Sequence, residues 1–155
     1  MKRLVSGDPA PLFTLQDDQG NSVSSADFSG KKTLIYFYPK ALTPGCTTQA
    51  CALRDAKSEL EALNTFVYGI SPDPVDKLTR FVDKKALNFP LLSDQDHAIA
   101  EAFGVWGEKK FMGKTYDGIH RISFLINEQG KVEKVFDKFK TKDHHQVVLD
   151  YLQNV

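Results

Sequence analysis

Thiols are scarce in this sequence. Its 155 residues hold only two cysteines, Cys46 and Cys51, both inside the stretch PKALTPGCTTQAC. A disulfide-stapled scaffold needs cysteine at several times this density, so that class is excluded. Excess charge of either sign is also missing: 20 Lys and Arg balance 20 Asp and Glu, and the pI is near 6.9. Nucleic-acid and anionic-membrane binders usually carry a basic surplus, so neither partner is expected. The longest apolar run, LIYFYP, is about six residues, far short of the ~20 that span a bilayer. The opening MKRLVSGDPAPLF has a basic start but no apolar stretch behind it. No secretory signal is therefore expected, and the expected compartment is the cytoplasm. There, paired thiols point to redox chemistry or metal more often than to a structural disulfide. Repeats, low-complexity tracts and long linkers are lacking too, so residues 1–155 are expected to form one domain.

What is present alternates between strand and helix patterns. LFTLQD and QGNSVSS read as a hairpin turning near Gly20. KTLIYFY, Lys32–Tyr38, is almost wholly apolar, as a strand covered on both faces should be. From Cys46, a helical pattern with Ala50, Leu53, Leu60 and Leu63 on one side runs to about Asn64. TFVYGIS is a second buried strand, and DPVDKLTRFVDKKA a helix with Asp73 expected at the N-cap and Pro74 in its first turn. FPLLSD reads as a short strand and DHAIAEAFG as a short helix closed by Gly104. GEKKFMGK reads as an exposed basic loop. GIHRISFLIN and KVEKVFDKF form a hairpin, and KDHHQVVLDYLQN a last helix with Val147, Val148 and Leu152 inward. The expected fold is α/β and thioredoxin-like: a central mixed sheet flanked by helices, with an N-terminal β-hairpin extension.

The chemistry concentrates where the strand ending at Tyr38 turns into a helix. A cysteine at a helix start meets unpaired backbone N–H groups and the positive end of the macrodipole, both of which favour a thiolate. Pro44 and Gly45 shape the approach to Cys46, and Pro39 is placed to shield it from bulk water. Thr43 carries a hydroxyl that both donates and accepts, suited to an incoming peroxide, although a turn or capping role explains it as well. If the helix is continuous from Cys46 to Cys51, the two residues are turned by ~140° and separated by ~7.5 Å of rise. Their Cα atoms then lie beyond the ~7 Å reach of a disulfide. A reaction that oxidises Cys46 on an intact helix, then unwinds it to admit Cys51, fits this spacing. So does the plainer alternative, in which Cys51 is a small buried hydrophobe or both thiols are inert.

Arg121 precedes an alternating strand in which Ile122, Phe124 and Ile126 share one face, so Arg121, Ser123 and Leu125 share the other. Its permanent charge suits a site holding a thiolate and a peroxide oxygen; a surface ion pair is the alternative. His97, His120, His144 and His145 lack partners at ligand spacing, and His144 and His145 are expected on a solvated first turn. Tyr38 and Trp106 are candidates to line the site or its approach.

Pro39-x3-Thr43-x2-Cys46, preceded by YFYPK, resembles the peroxiredoxin active-site motif. Cys51 and the block FGVWGEKKFMGKTYDGIHRISFLI are similar to the bacterioferritin co-migratory protein, or peroxiredoxin Q, branch. The resemblance runs from GDPAPLFTLQDDQG nearly to the C-terminus. It implies that Cys46 is the peroxidatic cysteine and Cys51 the resolving one, that Thr43 and Arg121 activate the sulfur, and that Pro39 closes the pocket. It further implies reduction of hydrogen peroxide and organic hydroperoxides, no metal or organic cofactor, recycling by thioredoxin or a similar dithiol, and a monomer. Two other classes remain: a protein disulfide oxidoreductase, which expects Cys-x-x-Cys, and a redox-gated chaperone.

Overall fold

A computed structural model of the protein describes residues 3–155. Among these residues, nine strands, five α-helices and a short 3-10 turn at Ser25–Phe28 follow one another in the order that the sequence patterns suggest, with one added hairpin. The first hairpin is β1 (Thr14–Asp17) with β2 (Ser22–Ser24), and Gly20 at φ +79° sits in its turn, a conformation that favours glycine. β3 (Lys32–Phe37) leads into α1 (Pro44–Asp55) and α2 (Lys57–Ala62). β4 (Thr65–Ser71), α3 (Val75–Lys85), β5 (Leu91–Ser93) and α4 (Ala98–Phe103) come next. β6 (Trp106–Phe111), β7 (Lys114–Ile119), β8 (Ser123–Ile126), β9 (Val132–Phe136) and α5 (His144–Gln153) complete the chain.

Seven strands form one mixed sheet in the order β2-β1-β5-β4-β3-β8-β9, and β6 and β7 form a separate ribbon. β3 and β4 are parallel in the register Ile35↔Tyr68, while β3 and β8 are antiparallel with Ile35 opposite Phe124. Strand period sorts the core into two layers. Leu34, Tyr36, Tyr38 and Leu125 face one side, packed with Leu53, Leu60, Leu78, Phe81, Val148 and Leu152 of α1, α2, α3 and α5. Ile35, Phe37, Phe124 and Ile126 face the other, under Phe13, Phe28 and Phe103. At Gly69 in β4 a Cβ would lie 2.9 Å from the Tyr36 ring and from Leu91, so glycine there makes room for that ring.

Five expectations change. The helix begins at Pro44, not Cys46, because proline suits a position whose N–H would be unpaired anyway. It then breaks at Ala56 into α1 and α2 and does not run on to Asn64. Asp73 is not the cap of α3; that place falls to Pro74. The buried Asp73 carboxylate instead accepts from the Ala41 N–H at 2.7 Å and the Ser71 hydroxyl at 2.9 Å. The stretch read as a basic loop is the β6–β7 hairpin, with Met112 and Gly113 at positive φ in its turn. Neither strand alternates in burial, so no period marks it. Finally, His144 is wholly buried and not solvated, because it lies on the same inward row as Val148 and Leu152.

Candidate active site

β3 ends against the loop Pro39–Thr43, and α1 starts directly after it. Thr43 occupies the N-cap position with extended backbone, but its side chain does not cap the helix. Its hydroxyl donates to the Lys40 carbonyl at 2.8 Å, which tightens the loop and leaves the oxygen able to accept. The first-turn N–H groups therefore keep no side-chain partner from Thr43, and Cys46 is the third residue of the helix. Only 1% of Cys46 is exposed.

Arg121 reaches this sulfur from the short segment between β7 and β8. Both of its terminal nitrogens, Nη1 and Nη2, lie 3.4 Å from Cys46 Sγ. Nη1 also donates to Gln49 Oε1 at 2.8 Å. Gln49 stands one helical turn beyond Cys46 on the same face and is 0% exposed, so a buried amide fixes the guanidinium plane against the sulfur. The expected parity holds: Arg121, Ser123 and Leu125 turn toward α1 and α5, and Ile122, Phe124 and Ile126 turn away. A surface ion pair for Arg121 is replaced by this contact.

Behind Arg121, Ser123 Oγ and His144 Nε2 are 2.7 Å apart and fully buried. Burial, helped by the charges of His145 and Arg121, pushes His144 down to about 3, so its ring is neutral. The guanidinium of Arg121 is a permanent charge at that wall. Lys109 of β6 donates from Nζ to the Ile119 carbonyl at 2.8 Å, two residues before Arg121. Partial burial lowers its pKa, the Arg121 charge lowers it further, and Cys46 acts in the opposite sense. Gly45 packs beside the same group: a Cβ there would meet Arg121 Nη2 and Thr141 Cγ2 at 3.6 Å, an ordinary contact.

Of the residues singled out by sequence, Cys46 and Arg121 come into direct contact. Thr43 and Pro39 sit on the adjoining loop, Thr43 half-buried and Pro39 half-buried at the end of β3; among the described residues no hydrogen bond joins Thr43 to the sulfur. Cys51 is half-buried, and both thiols are free. Because α1 is regular from Pro44 to Asp55, the geometry of residues five apart applies and keeps the two cysteines out of disulfide reach. Tyr38 is buried in the same apolar layer as Cys46 and stacks on Tyr36 at 5.4 Å, with burial raising both phenols well above their ordinary value. Trp106 stacks on His97 at 3.8 Å and packs on the opposite layer, which removes it from the approach to Cys46. Sequence reading missed Gln49 and Lys109 and put the buried His144 in solvent. For Gln49 the available signal was its spacing, a polar residue three after Cys46 on the row of Ala50 and Leu53.

A buried thiol in the first turn of a helix, faced by a charge that cannot be discharged, on a thioredoxin-like sheet, defines a thiol redox enzyme. The model of the AhpC/TSA family matches residues 6–135. The putative peroxiredoxin bcp of Haemophilus influenzae is 67% identical and covers 100% of both chains. Peroxiredoxin Bcp of Escherichia coli is 60% identical over 99% of this chain and 98% of its own. The bacterioferritin comigratory protein of Xanthomonas campestris, solved in trapped-intermediate and ligand complexes, superposes with a TM-score of 0.86 at 34% identity, covering 92% of this chain and 90% of that one. The chain belongs to the AhpC/TSA family, in its Bcp or peroxiredoxin Q branch, and is a thiol-dependent peroxidase.

Proposed function

We propose that Cys46 is the peroxidatic cysteine and Cys51 the resolving one, in a single domain spanning residues 1–155. The observation that carries this reading is the pair of guanidinium N–H groups 3.4 Å from Cys46 Sγ. Cys46 thiolate attacks the terminal oxygen of a hydroperoxide; an S–O bond forms, the O–O bond breaks, and the sulfur is oxidised by two electrons to a sulfenic acid. The other oxygen leaves as hydroxide or alkoxide and takes a proton from solvent. Arg121, the Thr43 hydroxyl and the free N–H groups of the α1 first turn stabilise the charge that moves along this line. Pro39 keeps bulk water from the sulfur.

The first turns of α1 then unwind, and Cys51 thiol condenses with the sulfenic acid, forming an S–S bond and releasing water. A dithiol protein such as thioredoxin returns both sulfurs to thiols by exchange, and is itself oxidised. Hydrogen peroxide and organic hydroperoxides are the proposed substrates; the related Xanthomonas protein has alkyl peroxide reduction activity. We place the protein in the cytoplasm, a reading supported by its bacterial Bcp relatives, and expect it to be a monomer. No helix of the described residues is long and apolar enough to cross a membrane.

Stopped-flow oxidation with a thioredoxin couple tests these roles. Cys46→Ser is expected to lose peroxide reduction entirely. Cys51→Ser is expected to reduce one equivalent and stop as a sulfenic acid. Sustained thioredoxin-driven turnover by Cys51→Ser would remove Cys51 from its proposed role.

A further inference from the structure

The buried carboxylate of Asp73 has no part in the steps above, yet it grips the loop that carries them. It is 6% exposed and accepts the Ala41 N–H at 2.7 Å and the Ser71 hydroxyl at 2.9 Å. Its own backbone is fixed as well: the Asp73 N–H donates to Ser71 Oγ at 3.3 Å, and the Asp73 carbonyl accepts from Ser93 Oγ at 2.7 Å. The grip thus ties Ala41 to the ends of β4 and β5, the rigid interior of the sheet. The next residue, Leu42, sits at φ +64°, in the left-handed region that disfavours any side chain. Strain of that kind is relieved when the segment leaves its place. At the far end, Ala50 and Leu53 are wholly buried. Between these two fixed points, Cys46 and Gln49 are held by polar bonds to Arg121.

We propose that Asp73 is a positioning residue that pins Ala41 as the fixed end of the segment that unwinds, and thereby sets how oxidised Cys46 divides between disulfide and sulfinic acid. The inference rests on the roles proposed for Cys46 and Cys51. While α1 is intact, the Cys46 sulfenate can attack a second hydroperoxide; a second S–O bond forms, an O–O bond breaks, and water or alcohol leaves, giving a sulfinic acid. Once α1 opens, Cys51 takes the sulfur instead. Conversion of thiolate to sulfenic acid weakens the charge-assisted bonds from Arg121 to Cys46, whereas the Arg121–Gln49 bond and the bond from Ala41 to Asp73 do not depend on the sulfur's oxidation state. Of the two that persist, the Asp73 bond holds the fixed end of the segment, so its strength governs how long the closed state survives.

The test follows the full-length protein through turnover with hydroperoxide and the thioredoxin couple, and reads the sulfinic and disulfide fractions by intact mass. Asp73→Asn keeps an acceptor for Ala41 but loses its charge, and is expected to lower the sulfinic fraction roughly fivefold. Asp73→Ala removes the acceptor and is expected to lower it further. Phe28→Leu, on the opposite layer of the sheet, lowers global stability and is expected to leave the division at its wild-type value. An unchanged division in Asp73→Asn, or an equal shift in Phe28→Leu, overturns the proposal while leaving the two cysteine roles intact. Failure of the wild type to form a Cys46–Cys51 disulfide overturns those roles, and this proposal with them.

Discussion

The two halves of α1 are held by different forces. Its first half, Pro44–Gln49, is fastened by polar bonds: both guanidinium nitrogens on Cys46 Sγ and one on Gln49 Oε1. Its second half, Ala50–Asp55, is fastened by apolar burial of Ala50 and Leu53 and by ties to the end of α3. There Arg54 donates to the Lys85 carbonyl and Asn88 donates to the Arg54 carbonyl. Polar bonds to a thiolate depend on its charge and weaken when it is lost, whereas burial of a leucine is indifferent to redox state. On the roles proposed for the two cysteines, oxidation is expected to release the Cys46 end while the Cys51 end stays on the core. On the proposed roles, the sulfur that reacts first is the one that travels.

Perturbing each half separately should sharpen this contrast. Leu53→Ala in the second half is expected to cost about 2–5 kcal/mol of global stability, read by urea unfolding, because it empties a fully buried site. Its rate of first oxidation at a temperature where it is still folded should stay near wild type. Arg121→Met reverses the pattern: oxidation of Cys46 by peroxide is expected to slow by about 100- to 1000-fold, with a much smaller change in unfolding midpoint. Equal loss of rate and stability in both variants would erase the distinction between the halves.

A smaller effect concerns the wall behind Arg121. His144 is held neutral, with its pKa brought down to about 3 from an ordinary 6.5. The unfolded chain takes up a proton there that the folded chain refuses, so the folded state is fully favoured above about pH 6.5 and loses ground as pH falls toward 3. The loss from this one group approaches about 1.4 kcal/mol per pH unit within that window. His144→Gln keeps a side-chain amide able to hydrogen-bond Ser123 Oγ and is expected to unfold with a shallower acid-side slope. An unchanged slope would show that His144 takes its proton in the folded state.

Much of this arrangement could be read from residue order. The apolar run ending at Tyr38, followed by Pro44 and Cys46, reads as a buried strand feeding a helix start, and strand parity puts Arg121 on one face with Ser123 and Leu125, the face that the structure turns toward α1. What escaped reading lacks a local period. β6 and β7 are largely exposed on both faces, so their charges resemble a loop, and Lys109 was lost with them. His144 looks solvated beside His145, Lys142 and Asp143, and only its place four residues before Val148 marks it as inward. Asp73 fits a helix cap by spacing, and only the tertiary approach of Ala41 claims its carboxylate.

Amide hydrogen exchange, resolved along α1 before and after one equivalent of peroxide, tests the release of the first half most directly. The expected result is strong protection from Thr47 to Asp55 in the reduced protein, then loss of protection at Thr47–Ala50 after oxidation while Leu53 and Arg54 remain protected. Formation of the Cys46–Cys51 bond with protection unchanged at Thr47–Ala50 would contradict it.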